Sequence, residues 1–262
     1  MVLLSFLVVT GCSRRDILDD YPVSGVEVRL DWSGVTEKLP EGVRIIFYPK
    51  DEKGRKIDTY LSVTGGEVKV PSGHYAVVIY NYDTETVLIR GEESYETIQA
   101  YTNFCKLGIA GTEKMVWGPD PLYVVNIDDL DIQNSEETLI LKLKPKLVIR
   151  TYSFSIKVQG LSNVSNVIGS IGGMADHYFL GKAYAMCDDY PINIGLNVKA
   201  GKIEGVFTTF GLPEAIITRL EIKLPVMMNL MIIKVDNSVQ EVKINITEAV
   251  QEPTGGGEGG EG

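Results

Sequence analysis

The 262-residue chain is 44% hydrophobic and 23% charged, enough apolar content for one large or two ordinary cores. Its net charge of −10 argues against nucleic acid as a partner, because phosphate binding calls for clustered Lys and Arg. Three cysteines without a Cys-x-x-Cys and only two histidines argue against a metal centre.

The chain opens on Met1-Val-Leu-Leu-Ser-Phe-Leu-Val-Val-Thr-Gly-Cys12 and then turns polar at Ser13-Arg-Arg-Asp16. Val2 to Val9 is far too short to cross a bilayer as a helix, which takes about 20 residues. It has the length of a signal-peptide apolar region, although only Met1 stands where a basic segment is usual. Val9-Thr10-Gly11-Cys12 resembles a bacterial lipobox, in which the cysteine is acylated and becomes the mature N-terminus. On this reading residues 1–11 are a signal peptide, residues 12–24 a lipidated tether and Cys12 the lipidation site. Cys105 and Cys187 then remain, and two buried free thiols are expected rather than a bridge.

Val26, Val28, Leu30 and Trp32 alternate with Glu27, Arg29 and Asp31, the period-two pattern of a half-buried strand. Short β-branched and aromatic runs follow at 43–48, 61–63, 67–70 and 74–80, separated by Asp51-Glu-Lys-Gly54, Thr64-Gly-Gly66 and Pro71-Ser-Gly73. Residues 91–120 lose the pattern and read as loops. Strands resume at 122–127 and 138–144, then stop at Pro145. Tyr152, Phe154, Ile156 and Val158 restart an apolar face, and residues 161–173, small and polar, read as a loop with one short helix at most. Further strands are predicted at 183–187, 191–198, 202–210, 216–224, 230–235 and 241–246, with a hairpin turn at Asp236-Asn-Ser238. Turns every eight to twelve residues indicate an all-β chain of two β-sandwiches, 25–144 and 145–250. The Gly/Glu tail, 251–262, has nothing apolar to bury and is expected to be disordered.

Val43-Arg-Ile-Ile-Phe-Tyr-Pro49, Pro71-Ser-Gly-His-Tyr75, Tyr80-Asn-Tyr-Asp-Thr-Glu85, Leu143-Lys-Pro-Lys146, Met174 with its Gly-Gly lead and Phe210-Gly-Leu-Pro213 together resemble the fimbrillin-like lipoproteins of Bacteroidetes. The resemblance implies two tandem transthyretin-like β-sandwich domains, exported and held on the outer membrane through Cys12. It implies a non-enzymatic role in adhesion or fimbrial assembly and anchoring, with strand addition as the means of joining other subunits. Ser13 does not resemble the Asp of an inner-membrane retention signal. Val242, Ile244 and Ile246 could fill a neighbour's groove, but the Gly/Glu tail after them could not, which favours an anchor, tip or stand-alone protein.

Residue by residue, little else points to chemistry. Asp176-His177 would face opposite ways on a strand, so His177, like His74, reads as a surface or loop histidine. No nucleophile elbow or phosphate loop is present, and no cofactor is implied. Asp128-Asp-Leu-Asp131 with Glu136-Glu137 lacks the spacing of a calcium loop and reads as a solvated loop. Trp32 continues a core face. Trp117, in a Gly-Pro-flanked loop, is the candidate ligand contact, and with Tyr80, Tyr82 and Tyr101 it raises the alternative of a glycan-binding lipoprotein for nutrient uptake.

Overall fold

The computed structural model describes residues 23–51, 54–107, 114–199, 201–214 and 225–251. The lipobox with Cys12, the tether up to residue 22, the whole of the predicted strand 216–224 and the Gly/Glu tail from 252 lie outside the described residues.

The first five strands are β1 (Val23–Leu30), β2 (Gly42–Pro49), β3 (Ile57–Ser62), β4 (Gly65–Pro71) and β5 (Gly73–Asn81). With β8 (Tyr123–Ile132), β9 (Leu139–Leu143) and β10 (Lys146–Leu147) they form one sheet in the order β10-β8-β5-β2-β3-β4-β1-β9. β3 and β4 meet only at Ser62 and Gly65, and there the sheet turns back on itself. Gly65 takes φ +104, and a Cβ there would lie 2.0 Å from the Val28 carbonyl oxygen, so the turn admits only glycine. Val26, Val28 and Leu30 of β1 thereby meet Ile45, Phe47, Val77 and Ile79 in one sandwich core, the alternation seen in the sequence. Burying each such side chain contributes about 1.5–3 kcal/mol. Trp32 closes the end, its indole N–H donating to the Val63 carbonyl at 2.6 Å.

β2 and β5 are buried on both faces. Ile46, Ala76, Val78, Tyr80 and Val124 face away from the sandwich and are covered by a four-stranded sheet, β14-β13-β7-β6. Its strand β6 (Val87–Arg90) just precedes the stretch 91–120 that reads as loops, and β7 (Gln99–Thr102) lies within it. β13 (His177–Phe179) and β14 (Tyr184–Met186) come from beyond Pro145, with His177–Phe179 paired to Tyr101–Gln99. These strands are three or four residues long, too short to show a period, and their partners are distant in sequence.

β11 (Arg150–Lys157), β12 (Val164–Gly172), β15 (Ile192–Lys199), β16 (Lys202–Thr209), β17 (Met227–Lys234) and β18 (Val239–Asn245) form a second large sheet, β11-β16-β15-β12-β17-β18, followed by a short helix, α1 (Thr247–Gln251). β15 pairs with β12 through Ile194 and with β16 from Gly195 onward, so the sheet folds there around its own core. Residues 164–172 are thus a central strand and not a loop. A Cβ on Gly169 would lie 3.0 Å from Leu196 and 3.1 Å from Ile194, so the facing side chains demand a small residue, and composition hides the strand. The acidic run is also strand. Asp128 and Asp129 sit at an irregularity where β8 carries extra residues against Tyr75 and Val77 of β5. Asp129 is held by Lys50 at 3.2 Å, which lowers its pKa, and by His74 at 3.4 Å.

Candidate functional site

Where the two halves meet, β13 places His177 beside Tyr101 of β7. His177 is not on the surface: it is 4% exposed, and Asp176 is 6% exposed. Asp176 precedes the strand, so the alternation that would separate the two side chains does not apply, and Oδ1 of Asp176 lies 2.6 Å from Nδ1 of His177. The other carboxylate oxygen accepts the backbone N–H groups of Asp188 at 2.9 Å and Tyr190 at 3.3 Å. Asp188, half exposed, lies 3.9 Å from the imidazole and 3.8 Å from Arg90. Asp176, His177 and Asp188 offer ligand atoms within 4.8 Å of one another. Both oxygens of Asp176 and Nδ1 of His177 are already engaged, however, so the group works as a polar clasp closing the 188–190 turn onto the seam. The Cys187 thiol beside the clasp accepts the Asp189 backbone N–H at 3.3 Å, and burial and the neighbouring carboxylates disfavour its thiolate.

A second connection crosses the seam. Phe104 pairs with Val116, which pairs in turn with Ile192 of the large C-terminal sheet. Cys105 and Met115 pack with Ile168 on that sheet's outer face. Trp117 is 38% exposed, its backbone N–H donating to the Asn103 carbonyl and its own carbonyl accepting from the Thr102 hydroxyl. Its ring enters no aromatic pair among the described residues, whereas Phe104 meets Tyr190 edge-on at 5.1 Å.

Cys105 and Cys187 are both free thiols, Cys105 buried as expected and Cys187 only half-buried. Burial pushes each up to about 11, and for Cys187 the carboxylates of Asp176, Asp188 and Asp189 add to the effect. In a Cys12→Ala chain at pH 8, iodoacetamide is therefore expected to label both roughly two hundredfold more slowly than a free cysteine. Urea should abolish the difference, and fast labelling of the folded chain would contradict the burial.

The sheet edges differ in how they are protected. β9 is short and followed by Lys144 and Pro145, β6, β10 and β14 are no longer than four residues, and the seven-residue edge β18 carries Glu241 and Lys243. β11 is eight residues long, with Thr-Tyr-Ser-Phe-Ser-Ile uncharged between Arg150 and Lys157. It pairs with β16 on one side and has no partner strand on the other among the described residues. Phe154 lies across Gly205 of β16, where a Cβ would come within 2.4 Å of its ring. Tyr152, Phe154 and Ile156 on β11, and Val242, Ile244 and Ile246 across the core, are only partly buried. The last three belong to or follow β18, which is paired to β17 of the same chain, so they fill this protein's own core and not a neighbour's groove.

A family model described as a domain of unknown function, DUF5119, matches residues 11–195, well over half of the chain. The chain belongs to the DUF5119 family. A relative from Bacteroides ovatus, named a candidate fimbrium anchoring subunit (Fim4B), is 51% identical, the match spanning 100% of this DUF5119 chain and 82% of the relative. The crystal structure of a candidate adhesin from Bacteroides ovatus shares 52% identity with a TM-score of 0.83, over 93% of this chain and 89% of that one. The fimbrial anchor protein Mfa2 of Porphyromonas gingivalis shares the fold, with a TM-score of 0.52 at 14% identity, over 87% and 83% of the two chains. The fimbrillin-like resemblance read from the sequence is thus confirmed, as is the all-β sandwich architecture. Of the motifs that carried it, Ile45, Ile46, Phe47, Tyr75 and Met174 of the DUF5119 chain are core residues, so they specify the fold rather than a reaction.

Proposed function

We propose that the protein is a non-enzymatic, lipid-anchored component of the cell surface that holds a fimbrium at the outer membrane. The observation that carries this is the 51% identity, over the whole chain, to a relative named as a fimbrium anchoring subunit. The lipobox supplies the attachment: acylated Cys12 carries the chain on the membrane, and stable anchoring requires more than one acyl chain. The two sandwich cores, one before Pro145 and one after, are proposed as tandem domains whose edges make the contacts. Surface proteolysis of intact cells tests the attachment. The wild type is expected to be degraded, and the Cys12→Ala protein to be released. Retention of the variant on the membrane would refute the lipid anchor, and shedding of fimbriae unchanged by deletion of the gene would refute the anchoring role.

The joint with the next subunit is proposed at β11, whose free N–H and C=O groups and half-covered aromatic residues can accept an added strand. Lysines at Thr151, Ser153 and Ser155 would charge the solvent face of this edge while leaving Tyr152, Phe154 and Ile156 in the core. The triple variant is expected to fold normally, with a melting temperature within about 2–4 °C of wild type for a loss near 1 kcal/mol, yet to lose its fimbriae to the medium. Fimbriae held as firmly as before would place the joint elsewhere. Trp117, exposed on the crossing loop, remains the proposed contact for a surface ligand, to be checked by the loss of adhesion in Trp117→Ala.

A further inference from the structure

A crevice of about 600 Å³ opens at the seam, on the face of the central sheet that looks away from the sandwich core. Its volume lies within the roughly 300–1,000 Å³ of small-ligand sites. Tyr48 and Tyr95, edge-on to each other at 6.1 Å, form its aromatic part. The far wall is Gly181-Lys182, from the other half of the chain. A Cβ on Gly181 would lie 2.1 Å from the Tyr95 carbonyl oxygen, and Asn126 donates to the Gly181 carbonyl at 3.2 Å. The wall is therefore fixed before any ligand arrives.

Charge decides what fits. Lys50, Lys56 and Lys182 line the crevice against Glu93, Glu96 and Asp128, so the two signs balance. The lysines are occupied: Lys182 with Glu96 at 2.8 Å, Lys50 with Asp129 at 3.2 Å, and Lys56 donating to the Glu92 carbonyl at 3.1 Å. Asp128 accepts the Tyr95 hydroxyl at 2.8 Å. An ionic ligand would meet as much repulsion as attraction, and an apolar one would strand these groups. A neutral molecule carrying many hydroxyls can donate to and accept from them all. Beyond the crevice, the Glu92 carboxylate holds Arg44 at 2.6 Å. Arg44 is fixed by Asp58 and Tyr80 and lies over the Tyr60 ring. Tyr60 and Tyr82, 61% and 44% exposed and edge-on at 5.2 Å, end this ledge with ring surface turned to solvent.

We propose that the crevice and its tyrosine ledge bind a neutral oligosaccharide, with the crevice hydrogen-bonding the terminal sugar and Tyr60 and Tyr82 stacking on the units that follow. The inference stands apart from the fimbrial role, which it neither needs nor excludes. The test is binding of the full chain to an array of neutral hexose and N-acetylhexosamine oligosaccharides, with sialylated and sulfated members alongside, and calorimetry on the best neutral binder. Neutral members are expected to bind. Lys182→Ala and Asp128→Asn should each weaken binding about tenfold, and Tyr60→Ala should weaken long chains but not short ones. Absence of neutral binders, binding confined to acidic members, or affinities unmoved by Lys182→Ala and Asp128→Asn would each overturn the proposal. So would binding abolished by Trp117→Ala alone, which would move the ligand to the crossing loop.

Discussion

Phe47→Ala is expected to destabilise the protein by about 3–5 kcal/mol, the range for emptying a fully buried aromatic site. Phe47 is 0% exposed, in the middle of β2, with Tyr75 edge-on at 6.0 Å and the layer of β1 and β9 above it. β2 is buried on both faces, so the backbone cannot collapse toward the gap without dragging Ile46 out of the second core. Since folded domains are stable by only about 5–15 kcal/mol, much of the margin would go. Urea unfolding reads the change as a shift in midpoint at constant slope. Val235→Ala, at a residue 68% exposed, is the matched control and should stay within about 0.5 kcal/mol of wild type. A Phe47→Ala loss no larger than the control would mean that the sandwich does not pack around this residue.

The second large effect is expected at Asp176. Its carboxylate answers three donors, the buried His177 imidazole and the part-buried backbone N–H groups of Asp188 and Tyr190. Asp176→Ala leaves all three without a partner, at a cost of about 3–5 kcal/mol. Asp176→Asn keeps an oxygen for the two N–H groups and should cost only about 1–2 kcal/mol. Hydrogen exchange adds a local reading, because the Asp188 and Tyr190 amides should lose protection in the alanine variant and keep most of it in the asparagine one. Equal losses in the two variants would show that volume, not hydrogen bonding, holds the seam.

Strands that bury one face were legible in the sequence. Val26, Val28 and Leu30 alternate because one side of β1 meets the core, and Tyr152, Phe154 and Ile156 do so for the same reason. What escaped was set by distant partners. β6 and β7 are four residues each and are defined by β13, which lies beyond the end of the sandwich. Gly169 and Ser170 look like loop residues until Ile194 and Leu196 are seen to fill the space above them. Asp128 and Asp129 look like a solvated loop, yet they sit at the register irregularity of β8, exposed, where Lys50 and His74 meet Asp129. The candidate sites divided in the same way. Trp117 was read as exposed from its Gly-Pro neighbours, and it is. His177 was read as a surface residue because strand alternation was applied to a pair that straddles the strand's first residue. The crevice had no signal at all, since Tyr48, Tyr95, Asp128 and Lys182 are brought together only by the third sheet.

That third sheet also sets a schedule for maturation. Its strands come as two adjacent pairs, one from before residue 103 and one from after residue 176, so a nascent chain cannot finish covering Ile46, Val78 and Val124 until Met186 has emerged. Contacts so far apart along the chain form slowly, and the greasy face stays bare meanwhile. That face is open to self-association while the chain folds, and limited proteolysis during refolding should strike within the stretch that waits between those two pairs of strands.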